Sequence, residues 1–100
     1  MAFSRFRAQL EQSFTNVKVA VEAAGGRMSD IIKLNYYCAD SVDPSELPTV
    51  AAVRDRYIDT RQPPTSTFVF VRRLVRADWL IEIEAVAALA QSFLASPPAG

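Results

Sequence analysis

One hundred residues with eleven basic and eleven acidic side chains carry no formal net charge and contain no histidine. That balance argues against a nucleic-acid partner, whose phosphates call for concentrated positive charge. With no histidine and Cys38 as the lone cysteine, the chain by itself excludes Ser–His and Cys–His nucleophile pairs and metal sites built on imidazole or several thiolates. Chemistry then falls to carboxylates, hydroxyls, one thiol, backbone amides and bound water, with no cofactor or metal expected.

This length supports one domain with a thin core, assigned to residues 1–95, with 96–100 as a tail. Half of the residues are apolar, which is rich for a free monomer and hints at a buried subunit interface. A lone cysteine fits a reducing compartment. No apolar run approaches ~18 residues and the N-terminus lacks an apolar signal core, so a cytoplasmic chain with no membrane partner is expected.

In chain order, Phe3, Phe6, Leu10, Phe14, Val17, Val21 and Ala24 recur in steps of three and four, which predicts one amphipathic helix. Ser4 is its expected N-cap and Gly25-Gly26 its left-handed stop. The polar face is mixed rather than basic, so the apolar stripe is read as core-packing rather than membrane-bound. From Ile31 to Ala39 the period changes to two. Ile32, Leu34, Tyr36 and Cys38 are placed on one face, Lys33, Asn35 and Tyr37 on the other, with Ile31 a well-buried start. On the apolar face Cys38 reads as a buried structural thiol rather than a reactive one, and of the adjacent Tyr36 and Tyr37 one belongs to the core.

Asp40 to Ser45 is a turn cluster; Asp40 and Asp43 lack the further spaced oxygens of a calcium loop. A second helix is expected from Leu47 to Asp59, with Val50, Val53 and Tyr57 inward and Pro48 tolerated in its first turn. After Gln62-Pro63-Pro64, two runs, Thr65 to Leu74 and Leu80 to Leu89, read as a β-hairpin about the turn Val75–Asp78. Arg72, Arg73 and Arg76 are read as a solvated hairpin end rather than an anion site, and Trp79 as its anchor. Ala90 to Leu94 could add a helical turn.

On the last strand, Ile81, Ile83, Ala85 and Ala87 point one way, Glu82 and Glu84 the other. Carboxylates two residues apart on a strand lie ~6.6 Å apart between Cα atoms. They repel unless a cation, water or shared proton intervenes. Either the strand face is solvated, or it lines a cleft where a carboxylate positions water.

Several segments together resemble one family. Gln12-Ser-Phe-Thr-Asn-Val-Lys, Val21-Glu-Ala-Ala-Gly-Gly, Asp30-Ile-Ile-Lys, Arg54-Asp-Arg-Tyr57, Pro64-Thr-Ser-Thr-Phe-Val-Phe-Val-Arg-Arg-Leu74 and Trp79-Leu-Ile-Glu-Ile-Glu-Ala-Val-Ala87 are similar, in order and spacing, to the Rid (YjgF-like, reactive intermediate deaminase) proteins. The resemblance covers roughly residues 8–89, and Glu-Ile-Glu-Ala is its most specific part. It implies an α+β, chorismate-mutase-like fold in the order helix-strand-helix-strand-strand, with two helices on one face of the sheet. It also implies a homotrimer whose sheets form a central barrel, with small-molecule clefts between subunits. Family members hydrolyse reactive enamines and imines, such as 2-aminoacrylate, to ketoacids and ammonia without a cofactor. The ribonuclease label some of them carry is not favoured by this neutral charge.

By position, Glu82 matches the acidic residue that orients the attacking water. Ser66 falls where active deaminases place the arginine that grips the substrate carboxylate, and Thr67 and Phe68 are implied as further substrate-binding positions, Phe68 in place of a cysteine. A guanidinium makes two parallel charge-assisted hydrogen bonds to a carboxylate; serine offers one neutral donor. The family's N-terminal hairpin has no counterpart before Phe3. A natural short form with Ser4 capping its first helix is expected, the rival being a start site placed too late. The resemblance therefore implies an enamine/imine deaminase-like hydrolase with altered specificity or lost activity, or else a noncatalytic homotrimer that binds a ligand or serves as a scaffold.

Overall fold

A computed structural model describes residues 4–90. The element order is α1 (Arg5–Ala23), a 3-10 turn, β1 (Ile31–Ala39), a second 3-10 turn, α2 (Leu47–Arg54), β2 (Thr65–Val71) and β3 (Ile81–Ala87). Helix α1 begins where Ser4, in extended conformation, accepts a hydrogen bond from the Arg7 amide at 3.0 Å. It ends where Gly25 adopts a φ of 89°, the left-handed region that costs glycine least. There the amides of Gly25 and Gly26 close back on the carbonyls of Glu22 and Val21, the paired bonds of a Schellman stop.

The three strands form one sheet in the order β2-β1-β3. β1 runs parallel to β2 and antiparallel to β3. The parallel pair needs a crossover, which α2 provides. Leu34, Tyr36 and Cys38 of β1 face the helices and are at most 2% exposed; with Phe6, Leu10, Phe14, Val50, Val53 and Ile81 they form one core cluster. Both helices thus cover the same sheet face. Within the core Phe14 stacks on Tyr57 at 5.1 Å and meets Tyr36 edge-on at 6.1 Å.

Four expectations need correction. The two C-terminal strands do not pair as a hairpin: β1 lies between them. Alternating apolar residues fix which face a strand buries, not which strand is its neighbour. The link through 72–80 is long enough to carry the chain across the end of β1, about two strand spacings or ~10 Å. Arg72, Arg73 and Arg76 accordingly lie on a crossing loop; Arg73 donates to the carbonyls of Leu74 and Val75, and Arg76 lies over the Trp79 ring. Secondly, Ile32 does not share the core face. A register shift between Ile31 and Lys33 turns Ile31 inward, 4% exposed, and leaves Ile32 52% exposed. Thirdly, α2 stops at Arg54 rather than Asp59, because the amides of Arg56 and Tyr57 bond three residues back, to Val53 and Arg54. Tyr57 still reaches the core through its stack on Phe14. Lastly, β2 and β3 are shorter than the runs assigned to them. The expected turn of helix after Ala90, like Phe3, lies outside the described residues.

Phe14 of α1 is fully buried, packed against Tyr36 of β1 and stacked on Tyr57 just past the end of α2. Phe14→Ala should destabilise the fold by about 3–5 kcal/mol, since burial is lost and a cavity remains. Urea denaturation at fixed protein concentration tests this; a loss below about 1 kcal/mol would show that the helix layer does not depend on this ring.

Candidate functional site

The face of the sheet turned away from the helices is open. Strand register brings Lys33, Asn35 and Tyr37 of β1 alongside Glu82, Glu84 and Val86 of β3 and Thr65, Thr67 and Val69 of β2. Its polar centre is Glu84. The Asn35 amide donates to Glu84 Oε1 at 2.9 Å and the Tyr37 hydroxyl donates to the same oxygen at 3.2 Å. These two donors, with Lys33 nearby, hold the Glu84 carboxyl below the usual carboxylate range, and the Glu84 charge pushes the Tyr37 hydroxyl up.

Glu82 lies two residues along, exposed on the edge strand and directly opposite Tyr37 in register. Because Tyr37 is drawn to Glu84, Glu82 makes no hydrogen bond among the described residues. With Ser13, Asn16 and Val17 of α1 and with Ile81 and Ile83, it lines a groove of ≈ 480 Å³ between α1 and β3. Gln9 of α1 fixes the start of this strand. Its side-chain amide donates to the Asp78 carbonyl at 2.9 Å, and its carbonyl accepts from the Leu80 amide at 2.7 Å.

The other candidate residues lie elsewhere. Ser66 and Phe68 of β2 register with Leu34 and Tyr36 and so share the helix-facing side, while Thr67 registers with Asn35 on the open side. The Phe68 ring lies 5.4 Å from that of Tyr36. Ser66 and Glu82 therefore belong to opposite faces of strands separated by β1, and their register partners Leu34 and Tyr37 are three residues apart. Sheet spacings put their Cα atoms about 14 Å apart. One chain alone does not bring them together.

The sequence assigns no role to two further participants. Gln9 falls on the polar face of α1, and no local signal reveals its reach to Asp78 and Leu80. Arg54 lines a second groove together with Ser66, Thr60 and Pro64; its adjacency to Ser66 is a product of the crossover. Cys38 is fully buried, and burial pushes its thiol up to about 11, which suits a structural role. Among the described residues no group of three or more His, Cys, Asp or Glu could hold a metal ion, and no helix is long and apolar enough to cross a membrane.

The hydrogen bonds to Glu84 set a sign for its titration. With its folded pKa depressed, its contribution to stability is present above the ordinary carboxylate range and is lost as pH falls through the folded value. A carboxyl-carbon NMR titration should find Glu84 below that range, and Asn35→Ala should move it upward. An unchanged pKa in that variant would show that the Asn35 bond does not set it.

Comparison with known proteins bears on the fold and the family. Residues 2–89 match the family described as Endoribonuclease L-PSP. A 2-iminobutanoate/2-iminopropanoate deaminase of Escherichia coli (strain K12) is 39% identical over 82 residues, spanning 80% of this chain and 61% of its own. A protein of the same description from Dermatophagoides farinae is 33% identical over 67 residues, 67% of this chain and 50% of its own. The chain thus spans roughly half to three-fifths of the length of these relatives. Among solved structures, the Rid family protein YyfB from Yersinia pestis superposes with a TM-score of 0.75 at 31% identity, over 83% of this chain and 62% of that one. A YjgF/YER057c/UK114 family member from Mycobacterium tuberculosis shares the fold, with a TM-score of 0.76 at 24% identity over 88% of this chain and 71% of its own. With strand order, helix layer and the Glu82 strand all inside the matched span, the chain belongs to the Endoribonuclease L-PSP family, the Rid/YjgF proteins.

Proposed function

We propose that this chain is a cytoplasmic, homotrimeric Rid-type hydrolase acting on a small enamine or imine in clefts between subunits, with Glu82 as its water-positioning residue. The observation that carries the reading is the state of Glu82. It is exposed on an edge strand, while the neighbouring Glu84 already accepts from Asn35 and Tyr37. One carboxylate is thereby held in the sheet and the other is left with open acceptor sites for water. In the reaction, water adds to the imine carbon while Glu82 accepts one of its protons. Glu82 passes that proton to the nitrogen, the hydroxyl proton of the adduct follows by the same route, and the C–N bond breaks to release ammonia and leave a ketone oxygen. Imine and water thus become ketoacid and ammonia with the carboxylate restored.

An assembly supplies what one chain lacks. Ser66 and Phe68 sit on the helix-facing side of β2 and Glu82 on the open side of β3, with β1 between them. A cleft containing both sets needs the Ser66, Thr67 and Phe68 strand of one protomer beside the Glu82 strand of another. Exposed apolar residues support association: Val69, Phe70 and Val86 are 39%, 42% and 46% exposed. No cofactor is required by this chemistry.

Ser66 favours a second reading. Where the family resemblance places a substrate-gripping arginine, a serine provides no charge, which suits a trimer that binds a ligand or organises partners without turnover. The discriminating experiment follows ketoacid release from freshly generated 2-aminoacrylate. Turnover abolished by Glu82→Gln supports the hydrolase; wild-type turnover unaffected by that change removes Glu82 from its role. Ser66→Arg should raise turnover, because charged hydrogen bonds of about 1.5–3 kcal/mol become available to the carboxylate; no gain would mean that position 66 does not face the substrate.

A further inference from the structure

The groove beyond Ser66 holds a charged group that the family pattern does not assign. Arg54 closes α2, and with Asp55, Ile58, Thr60, Pro63, Pro64 and Ser66 it lines a space of ≈ 390 Å³. Its Nε and Nη2 both converge on the single oxygen Asp55 Oδ1, at 3.0 and 2.9 Å. An ion pair between partly solvated sequence neighbours holds its members weakly, and a guanidinium has five N–H donors. Donors therefore remain available for an anion on the groove side, and the Arg54 side chain is 33% exposed.

A second observation comes from β1. The Tyr36 hydroxyl is buried and has no hydrogen-bond partner among the described residues. The two charges that act on it are those of Arg54 and Asp55. Burial pushes it up to about 12, so it stays a neutral donor at physiological pH. Buried hydroxyls in folded proteins are nearly always partnered, but Tyr36 does not line the groove, so the site stands on Arg54 and the groove it lines.

We infer that Arg54, reaching from α2 into the groove shared with Ser66, binds the carboxylate of a small 2-oxo or 2-imino acid. A planar fork fits a carboxylate through two parallel hydrogen bonds. Arg54 is the sole cation among the lining residues and Asp55 lies beside it, which disfavours a doubly charged phosphate. Ile58, Pro63 and Pro64 supply apolar wall for a short alkyl chain. The inference rests on the hydrolase reading for the identity of the acid, and it moves the carboxylate grip from β2 to α2.

Calorimetric titration of the full chain with pyruvate, at constant ionic strength, tests this without any turnover, so its outcome is separate from that of the Glu82 experiment. Wild-type protein should bind pyruvate at millimolar concentration and ignore the neutral analogue pyruvamide. Arg54→Gln should weaken binding roughly tenfold or more, the loss expected of a charge-assisted hydrogen-bond pair. Arg54→Lys should fall between, keeping the charge without the fork. Arg61→Gln, the same charge change at an 89% exposed side chain outside the groove, should stay within about twofold of wild type. Circular dichroism checks that each variant is folded. Equal affinity in Arg54→Gln and wild type, or no wild-type binding at tens of millimolar, overturns the inference.

Discussion

The position of β1 between β2 and β3 governs the rest of the molecule. Leu34, Tyr36 and Cys38 turn one side of that strand into the floor on which both helices pack. Asn35 and Tyr37 turn its other side into a polar surface. Among the described residues β1 occupies the centre and β2 and β3 are the two edges of the sheet, the positions at which a row of backbone groups is open to pairing. Both also carry the residues with chemical potential. Separation of Ser66 from Glu82 is thus a direct consequence of strand order, and so is the need for a second protomer in the proposed site.

The two glutamates of β3 show how neighbours assign roles to identical side chains. Alternation places both on the open face, at a spacing where their charges oppose one another. Asn35 and Tyr37 resolve this by spending their donors on Glu84 alone. Its charge is stabilised in place, while Glu82, at the same height as the groove against α1, keeps its acceptors open. The Gln9 clamp on Asp78 and Leu80 fixes the beginning of the strand and hence the height at which Glu82 projects.

Much of this was legible in the sequence. The stripe from Phe6 to Val21, the Ser4 cap and the Gly25 stop announce α1, because helix periodicity and end chemistry are local. The alternation through Tyr36 and Cys38 announces β1 for the same reason. Strand pairing was not legible: the hairpin reading joined two runs adjacent in sequence, whereas the sheet inserts β1 between them. Ile32 was misplaced because a bulge leaves no mark in the alternation. In the candidate site, Glu82 could be singled out from its strand pattern and family resemblance. Arg54 was legible as part of a family-like segment but not as a groove residue, and Gln9 not at all, since their surroundings arise only in the folded chain.

The central claim is that Ser66 and Glu82 serve one cleft only when they come from different protomers. Light scattering at micromolar concentration tests it most directly. The account predicts a particle of about three times the 11.1 kDa chain. A stable monomer would contradict it, leaving the two residues on opposite faces of a sheet with nothing to bring them together.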